Sequence, residues 1–367
     1  MPRPAAPFWL AAPSRFAGLR HGRARQVLIV LALVLLLCLS ALLPGAAPRT
    51  LSAPGQTDIE LYESIAAGVR GGGNYYAVTA QALRQGDYPL KPFFTFRLPT
   101  LALLQAALPP ALMRAMLYTL CFAVLLAWLI RLREGVARLP ALIAGFVLLL
   151  GGMTANLQPE LAGFHEIWAG LLIALSLALY QRDRWLDAVA FGLMAMLIRE
   201  TAALYVLMMA AFALASGARR EAAGWTGALG VFALVIMAHA WAVSQVVTIS
   251  DPASPGWSGL LGPGFFVRTM AVSTGFAALP LWLGAVLIGL ALVGWASWRS
   301  PLAARVLAML TAYAVLIALF GRADTFYWGL MAAPLLPLGL AFAPDGLRDV
   351  AAAAMDKRRI TVTRLRR

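Results

Sequence analysis

The sequence has few charged residues, few histidines and almost no cysteine. Charged residues make up 13% of its 367 residues, whereas a soluble domain carries about 25%. The two cysteines, Cys38 and Cys121, both lie inside apolar runs, so their positions imply neither a disulfide framework nor a metal site. These shortages exclude an ordinary soluble domain, and we expect both cysteines to be packing residues.

The sequence also lacks the motifs of soluble enzymes. It contains no Walker loop, no Gly-x-Gly-x-x-Gly after a strand, no His-Glu-x-x-His and no Gly-x-Ser-x-Gly. The glycine run at residues 71–73 has no strand-then-helix pattern around it, so it indicates a hinge and not a phosphate-binding loop.

Apolar residues dominate what is present, at 61% of the chain with a mean hydropathy of +0.78. The bilayer then acts as solvent, and the length needed to cross it sets the number of helices. The pattern predicts an all-α polytopic membrane protein with about ten transmembrane helices, at residues 26–43, 111–130, 139–153, 163–180, 185–198, 201–216, 225–246, 276–298, 302–320 and 326–343. The first run also fits a cleaved signal peptide, but its long leader and the later spans favour a membrane helix.

Every second connection between these apolar runs is basic. One set, which includes residues 1–25 and the tail 344–367, holds 21 of the 30 basic residues but only 7 of the 16 acidic ones. The positive-inside rule makes that side cytoplasmic. We therefore expect a membrane domain over 26–343 in a bacterial inner membrane, cytoplasmic termini, anionic lipids as partners of the basic tail, and no nucleic acid.

The longest polar stretch, residues 44–97, falls on the outer side. Apolar residues at helical spacing predict two short interfacial helices there, at 58–69 and 75–84. The apolar piece 98–108 is too short to cross the membrane. The pair 185–198 and 201–216 is also short, with Arg199 and Glu200 at its apex, so we expect it to turn within the outer half of the bilayer.

Every outer connection contributes carboxylates or other polar groups that could form a site, and the inner side has no comparable set. Charges at membrane depth cost on the order of 2.5–3.5 kcal/mol each, so they usually pair or serve a site. Glu166, Arg199 and Glu200 are embedded in this way. Arg199 paired with Glu166 or Glu200 is the structural alternative to a functional role.

A motif after the first span carries a resemblance. The stretch Asp58-Ile59-Glu60-Leu61-Tyr62-Glu63-Ser64-Ile65-Ala66 resembles the acidic pair, tyrosine and Ile-Ala of the GT-C superfamily of integral membrane glycosyltransferases. Two further pieces are similar to the Gly-x-Tyr-Pro and Arg-x-Pro motifs of the same loop in that superfamily: Gly86-Asp87-Tyr88-Pro89 and Phe96-Arg97-Leu98-Pro99. The resemblance covers about the first 130 residues, and the remainder matches in span number and topology alone.

The resemblance implies a transferase that uses a polyprenyl-phosphate sugar and an acceptor hydroxyl on a glycan, lipid or protein. Asp58, with Glu60 beside it, would be the catalytic carboxylate that takes the hydroxyl proton. Arginines would neutralise the phosphate leaving group. A divalent cation is a candidate cofactor. The candidate substrate-binding residues are Arg97, Tyr75, Tyr76, Glu160, His165, Glu166, Arg199, Glu200, Arg322, Asp324 and Tyr327.

Two features depart from the family pattern. Ile59 separates the two acids, and residues two apart on a helix point to different faces. Either Asp58 precedes the helix, as its N-cap for example, or only one acid is catalytic. A second acid in the next outer loop, Glu160 or Glu166, is not singled out. His165 is a candidate proton donor or an ordinary interface histidine, and His239 is expected to be packing.

Two other functions fit a polytopic chain. A transporter or flippase for a lipid-linked saccharide predicts broken helices in matching positions of two halves, and the sequence offers one such break. A non-catalytic subunit of an envelope assembly would not need Asp58 with converging arginines.

Overall fold

The computed structural model describes residues 6–48, 58–256 and 259–356. These residues form α-helices joined by short 3₁₀ helices, with no strand among them. The α-helices are α1 His21–Leu39, α2 Asp58–Arg70, α3 Tyr75–Gln85, α4 Thr100–Ala107, α5 Pro110–Gly135, α6 Leu139–Gly152, α7 His165–Leu179, α8 Leu186–Ile198, α9 Ala203–Ala215, α10 Arg219–Ser244, α11 Gly262–Ser273, α12 Leu281–Ser297, α13 Pro301–Phe320 and α14 Ala343–Met355. The predicted all-helical class is confirmed.

Four helical segments are long and apolar enough to cross a membrane, at His21–Leu42, Pro110–Gly135, Arg219–Ser244 and Pro301–Phe320. Six shorter apolar helical segments accompany them, at Phe93–Ala107, Leu139–Gly152, His165–Leu179, Leu186–Ile198, Glu200–Ala215 and Leu281–Ser297. The long helices leave large apolar side chains uncovered: on α1, Ile29 is 61% exposed and Leu36 is 63% exposed. Such faces are costly in water and suit a hydrocarbon surround.

Two helices, α2 and α3, lie where the sequence predicts them, in the polar stretch 44–97, which we call the first polar loop. Asn74 is the N-cap of α3, because its side-chain oxygen accepts hydrogen bonds from the amides of Tyr76 and Ala77. Apolar residues of α2, α3 and the chain that follows them form a second core with Val243 of α10, and this core includes Leu61, Ile65, Leu83 and Phe96. The loop is therefore a folded unit, while its position on a membrane surface stays a prediction.

The helix pair α8 and α9 breaks where its sequence predicts a turn. Arg199 leaves the helical conformation, at φ −138° and ψ 114°, and a 3₁₀ turn over Glu200–Ala202 leads into α9. The break carries these two charged side chains toward the first polar loop.

The predicted span at 326–343 is wrong as a continuous α-helix. The chain there forms 3₁₀ helices at Ala323–Met331 and Pro337–Ala341 with turns between them. Pro334 and Pro337 lack the amide that an α-helix needs. Residues 327–339 are all buried, and irregular backbone is tolerated at membrane depth when protein covers it.

Glycines on neighbouring helices make room for this irregular segment. A Cβ atom on Gly170 of α7 would collide with the carbonyl of Leu330, and one on Gly294 of α12 with the carbonyl of Gly339. The absent side chains let backbones approach directly, as in small-residue helix contacts of membrane proteins.

Two other segments differ from expectation. Helix α11, Gly262–Ser273, precedes the predicted span that begins at 276, and that span itself starts only at Leu281. Helix α14 occupies the start of the predicted tail, whereas residues 357–367, which hold most of its basic residues, lie outside the described part.

Two buried carboxylates of α14 hold the segment before α1: Asp349 accepts a hydrogen bond from the Ser14 amide at 3.2 Å, and Asp345 makes the larger set of contacts. Asp345 is 1% exposed and accepts hydrogen bonds from the amides of Phe8, Trp9 and Leu10, at 2.5, 2.6 and 2.8 Å. Arg348 forms an ion pair with the same carboxylate at 3.0 Å. The two ends of the described chain are thereby joined.

Replacing Asp345 by Ala should lower stability by about 2–4 kcal/mol, because three amides, one buried and two partly buried, lose a charged acceptor. The measurement is the thermal midpoint of the purified protein in detergent, with the rate of proteolysis before residue 20. Asp187→Ala is the matched control, since its side chain is 58% exposed. Equal midpoints for the two variants would contradict the anchoring role of Asp345.

Candidate active site

Residues from the first polar loop meet residues from α7 and the α8–α9 break. Asp58 and Tyr62 lie one turn apart on α2 and therefore share a face. Arg97 follows the 3₁₀ helix Phe93–Thr95 and precedes α4. We call Asp58, Tyr62, Arg97 and the groups they reach the Asp58 cluster.

Four charges form a continuous series behind this face. Arg199 Nε lies 2.5 Å from Glu166 Oε1, and the two side chains are 1% and 0% exposed. Arg199 Nη1 also pairs with Glu200 Oε1, the oxygen that Arg97 Nη1 approaches to 3.4 Å. The alternative of mutual pairing is thus realised for Arg199. Because each buried charge has an opposite neighbour, the desolvation cost of the series is offset.

Arg97 is oriented by both helices of the loop. Its Nε donates to the Tyr62 hydroxyl at 3.2 Å, and its carbonyl accepts from the Tyr75 hydroxyl at 2.7 Å. The Arg97 side chain keeps 12% of its surface exposed, against 1% for Arg199. Of these two arginines, Arg97 is the more accessible to a ligand.

Asp58 stands at the edge of the charge series. Its Oδ1 accepts a hydrogen bond from the Tyr88 hydroxyl at 3.1 Å. Burial raises the pKa of Asp58 above its ordinary value, although the positive charge of Arg97 and the Tyr88 hydrogen bond act against that rise. The negative charges of Glu166 and Asp324 raise the pKa further. A carboxylate in this setting has a greater tendency to accept a proton than a solvated aspartate.

His165 places unsatisfied polar atoms next to the cluster, and the buried Asn156 also has unsatisfied polar atoms. The His165 ring is 2% exposed and meets the Tyr62 ring edge-on, with centroids 4.9 Å apart. Within the described residues, neither nitrogen of His165 and neither side-chain polar atom of Asn156 has a hydrogen-bond partner. Buried polar groups are usually satisfied, so these atoms mark a place where water or a ligand would be accommodated.

The last predicted outer residues lie on the irregular segment. Tyr327 is 7% exposed and packs against Phe164, with ring centroids 5.6 Å apart. Arg322 forms an ion pair with Asp324 at 2.7 Å. Asp324 acts electrostatically on Asp58, which brings this segment to the same end of the bundle.

Two of the predicted site residues, Glu60 and Tyr76, lie outside the Asp58 cluster, and the side chain of a third is not described. Glu60 is exposed and lies near Tyr88, on a different side of α2 from Asp58. The Tyr76 hydroxyl lies 3.2 Å from His239 Nδ1, and His239 Nε2 lies 3.3 Å from the Phe96 carbonyl. His239 is buried and packs against the rings of Tyr76 and Phe93, as expected, and its two nitrogens make these polar contacts in addition. The side chain of Glu160 lies outside the described part of the chain.

Asp58 is itself helical, in α2, and does not precede the helix. The two acids therefore do face different sides, and of the two only Asp58 is half-buried.

Two contributing residues were not selected from the sequence. Tyr62 follows Asp58 by four positions, the spacing of neighbours on one helix face, and Tyr88 belongs to the Gly-Asp-Tyr-Pro piece. Both signals were present, but hydroxyl contacts to Arg97 and Asp58 depend on the folding of the loop.

The described residues contain no group of three or more His, Cys, Asp or Glu side chains arranged to hold a metal ion. The divalent cation implied by the resemblance remains a prediction.

Comparisons of the chain with protein-family models, curated proteins and solved structures find no match.

The buried ion pair gives a double-variant prediction. Arg199→Gln should destabilise the protein by about 3–5 kcal/mol, because Glu166 is left buried without its cation. Adding Glu166→Gln should recover part of that loss, as measured by thermal midpoints in detergent. Glu63→Gln, an exposed carboxylate on α2, is the control. Simple additivity of the two losses would contradict the pairing.

Proposed function

We propose that the chain is an integral membrane glycosyltransferase that moves a sugar from a polyprenyl-phosphate donor to an acceptor hydroxyl. The observation that carries the proposal is the placement of Asp58. A half-buried carboxylate with a raised pKa stands beside Arg97, at the edge of a buried charge series and next to the unsatisfied His165. Perturbed carboxylates in such settings are candidates for proton transfer.

In the proposed reaction, Asp58 accepts the proton of the acceptor hydroxyl. The hydroxyl oxygen then bonds to the anomeric carbon of the donor, and the bond from that carbon to the phosphate oxygen breaks. The leaving polyprenyl phosphate carries the negative charge that remains. A preorganised cation stabilises this charge as it develops.

Arg97 is the residue that we assign to the donor phosphate. Its guanidinium is partly exposed and its contact with Glu200 is 3.4 Å, so phosphate oxygens are able to share or replace that contact. Arg199 is enclosed between Glu166 and Glu200 and acts as a positioning residue. Arg322, paired with Asp324, is a second phosphate contact, while Tyr327 and His165 line the sugar.

The proposal includes the topology predicted by the charges. Ten segments enter the membrane, both termini are cytoplasmic, and the Asp58 cluster faces outward in a bacterial inner membrane. Four helical segments of membrane length and five of the six shorter apolar ones, all but Phe93–Ala107, support nine of these ten. The tenth segment is the covered irregular chain around Ala323–Ala341 and not an α-helix.

A flippase for a lipid-linked saccharide is the second candidate. One observation favours it: the α8–α9 break at Arg199 and the interrupted segment after α13 give two broken elements, although both lie in the second half of the chain. Movement of a labelled lipid-linked sugar between leaflets, unaffected by Asp58→Asn, would favour the flippase over the transferase.

Replacing Asp58 by Asn should reduce sugar transfer at least about 100-fold, because the general base is lost while side-chain volume is kept. Transfer is measured in membranes with a polyprenyl-phosphate sugar and the native acceptor fraction. Glu63→Gln, exposed on the same helix, should retain activity. An active, normally folded Asp58→Asn protein would remove this residue from the mechanism.

The pH profile gives a separate prediction. Asp58 must be ionised to accept a proton, and its pKa is raised, so kcat/KM should fall on the acid side at a pH above the ordinary aspartate pKa of about 3.9. Arg97 lowers that pKa, so Arg97→Gln should move the acid limb to higher pH. Exposed Arg114→Gln is the control. A limb that stays in place would contradict the coupling of Asp58 and Arg97.

A further inference from the structure

A second site lies at the opposite end of the helices that carry the Asp58 cluster. Helix α7 has Glu166 in its first turn, and Tyr180, directly after its last residue, lines a cavity. Since α7 has 15 residues, the two sites are about 22 Å apart along its axis. The cavity therefore belongs to a separate place in the fold, on the end that bears the basic connections.

The cavity has a volume of about 510 Å³, within the range of about 300–1,000 Å³ typical of small-ligand sites. Three arginines line it, Arg131, Arg182 and Arg305, together with apolar groups such as Trp298 and Leu302. Cationic groups beside apolar walls suit a ligand with an anionic head.

Arg305 is a buried cation in this lining, with 7% of its surface exposed. Its guanidinium carbon lies 4.3 Å from the ring centroid of Tyr180 and 5.1 Å from that of Phe212. Nη2 donates to the Tyr180 hydroxyl at 2.8 Å, and Nη1 to the carbonyl of Pro301 at 3.3 Å. Its Nε is buried without a hydrogen bond, and no carboxylate of the described residues pairs with the guanidinium.

The acids of the cavity are occupied by other partners. Glu134 pairs with Arg131 at 3.3 Å. The two oxygens of Glu221 accept hydrogen bonds from Tyr180 at 3.2 Å and Trp225 at 3.4 Å. Neither carboxylate neutralises Arg305 directly, and exposed Arg182 forms no ion pair within the described ranges. The cavity therefore holds an uncompensated positive charge.

We propose that this cavity binds a phosphate group, carried either by an anionic lipid headgroup or by a soluble phosphate compound. Guanidinium forks match phosphate oxygens in geometry and charge. Basic cavities between membrane helices are suited to anionic headgroups, and the apolar walls accommodate the start of a lipid chain. Arg305 forms the floor of the site, Arg182 its rim, and Arg131 holds the end of α7 through the carbonyls of Ala178 and Tyr180.

The test uses the full chain, purified in an uncharged detergent without phosphate. Binding of inorganic phosphate and of micellar phosphatidic acid is measured by calorimetry, with diacylglycerol as the phosphate-free match. Arg305→Gln and Arg182→Gln should each weaken binding at least about 10-fold. Arg184→Gln is the matched control: Arg184 is an exposed neighbour that pairs with Asp187 at 3.8 Å and lies outside the lining.

Each outcome decides the matter. Binding of inorganic phosphate identifies a soluble ligand, and binding of phosphatidic acid alone identifies a lipid headgroup. The proposal is overturned if neither probe binds better than diacylglycerol, or if Arg184→Gln weakens binding as much as Arg182→Gln. Should Arg305→Gln fail to fold, exposed Arg182→Gln decides alone, and unchanged binding there overturns the site. Sugar transfer plays no part in these readouts.

Discussion

The series of charges formed by Glu166, Arg199, Glu200 and Arg97 is the constraint on which the Asp58 cluster depends. It joins α7, the α8–α9 break and the first polar loop through charges that are costly to bury singly. Separating any one element from the others would leave an uncompensated charge in a largely buried place. The loop that carries Asp58 is therefore fixed to the bundle by electrostatics as well as by the small apolar core that it forms with Val243 of α10.

Local patterns in the sequence predicted the parts of this arrangement that local rules govern. Helical spacing indicated α2 and α3, and the charged pair at residues 199–200 indicated the break between α8 and α9. The pairing of Arg199 was foreseen as an alternative to a functional role. That Arg199 pairs with both neighbours, leaving Arg97 at the accessible end, depends on how three distant elements pack, which no local pattern encodes.

The irregular segment after α13 shows that hydropathy alone does not predict whether an apolar segment is an α-helix. Its composition is as apolar as that of a span, so a sliding window cannot distinguish the two. The difference lies in Pro334 and Pro337, and in the glycines of α7 and α12 whose missing side chains admit the segment's backbone. Such close approach joins residues that are distant in the sequence, as Gly170 is from Leu330 and Gly294 is from Gly339. The same limit applies to Arg305, whose position in a basic connection gave no sign of its burial between two rings.

Under the proposed function, the charge balance of the outer cluster links donor binding to catalysis. Arg97 contacts Glu200 and also acts electrostatically on Asp58, whose pKa it lowers. A donor phosphate bound at Arg97 adds negative charge beside Asp58 and draws on the same cation. The pKa of Asp58 then rises further, so the carboxylate becomes a stronger base when the donor is in place. The pairing that stabilises the loop in the free protein thus restrains the base until the substrate that needs it has bound.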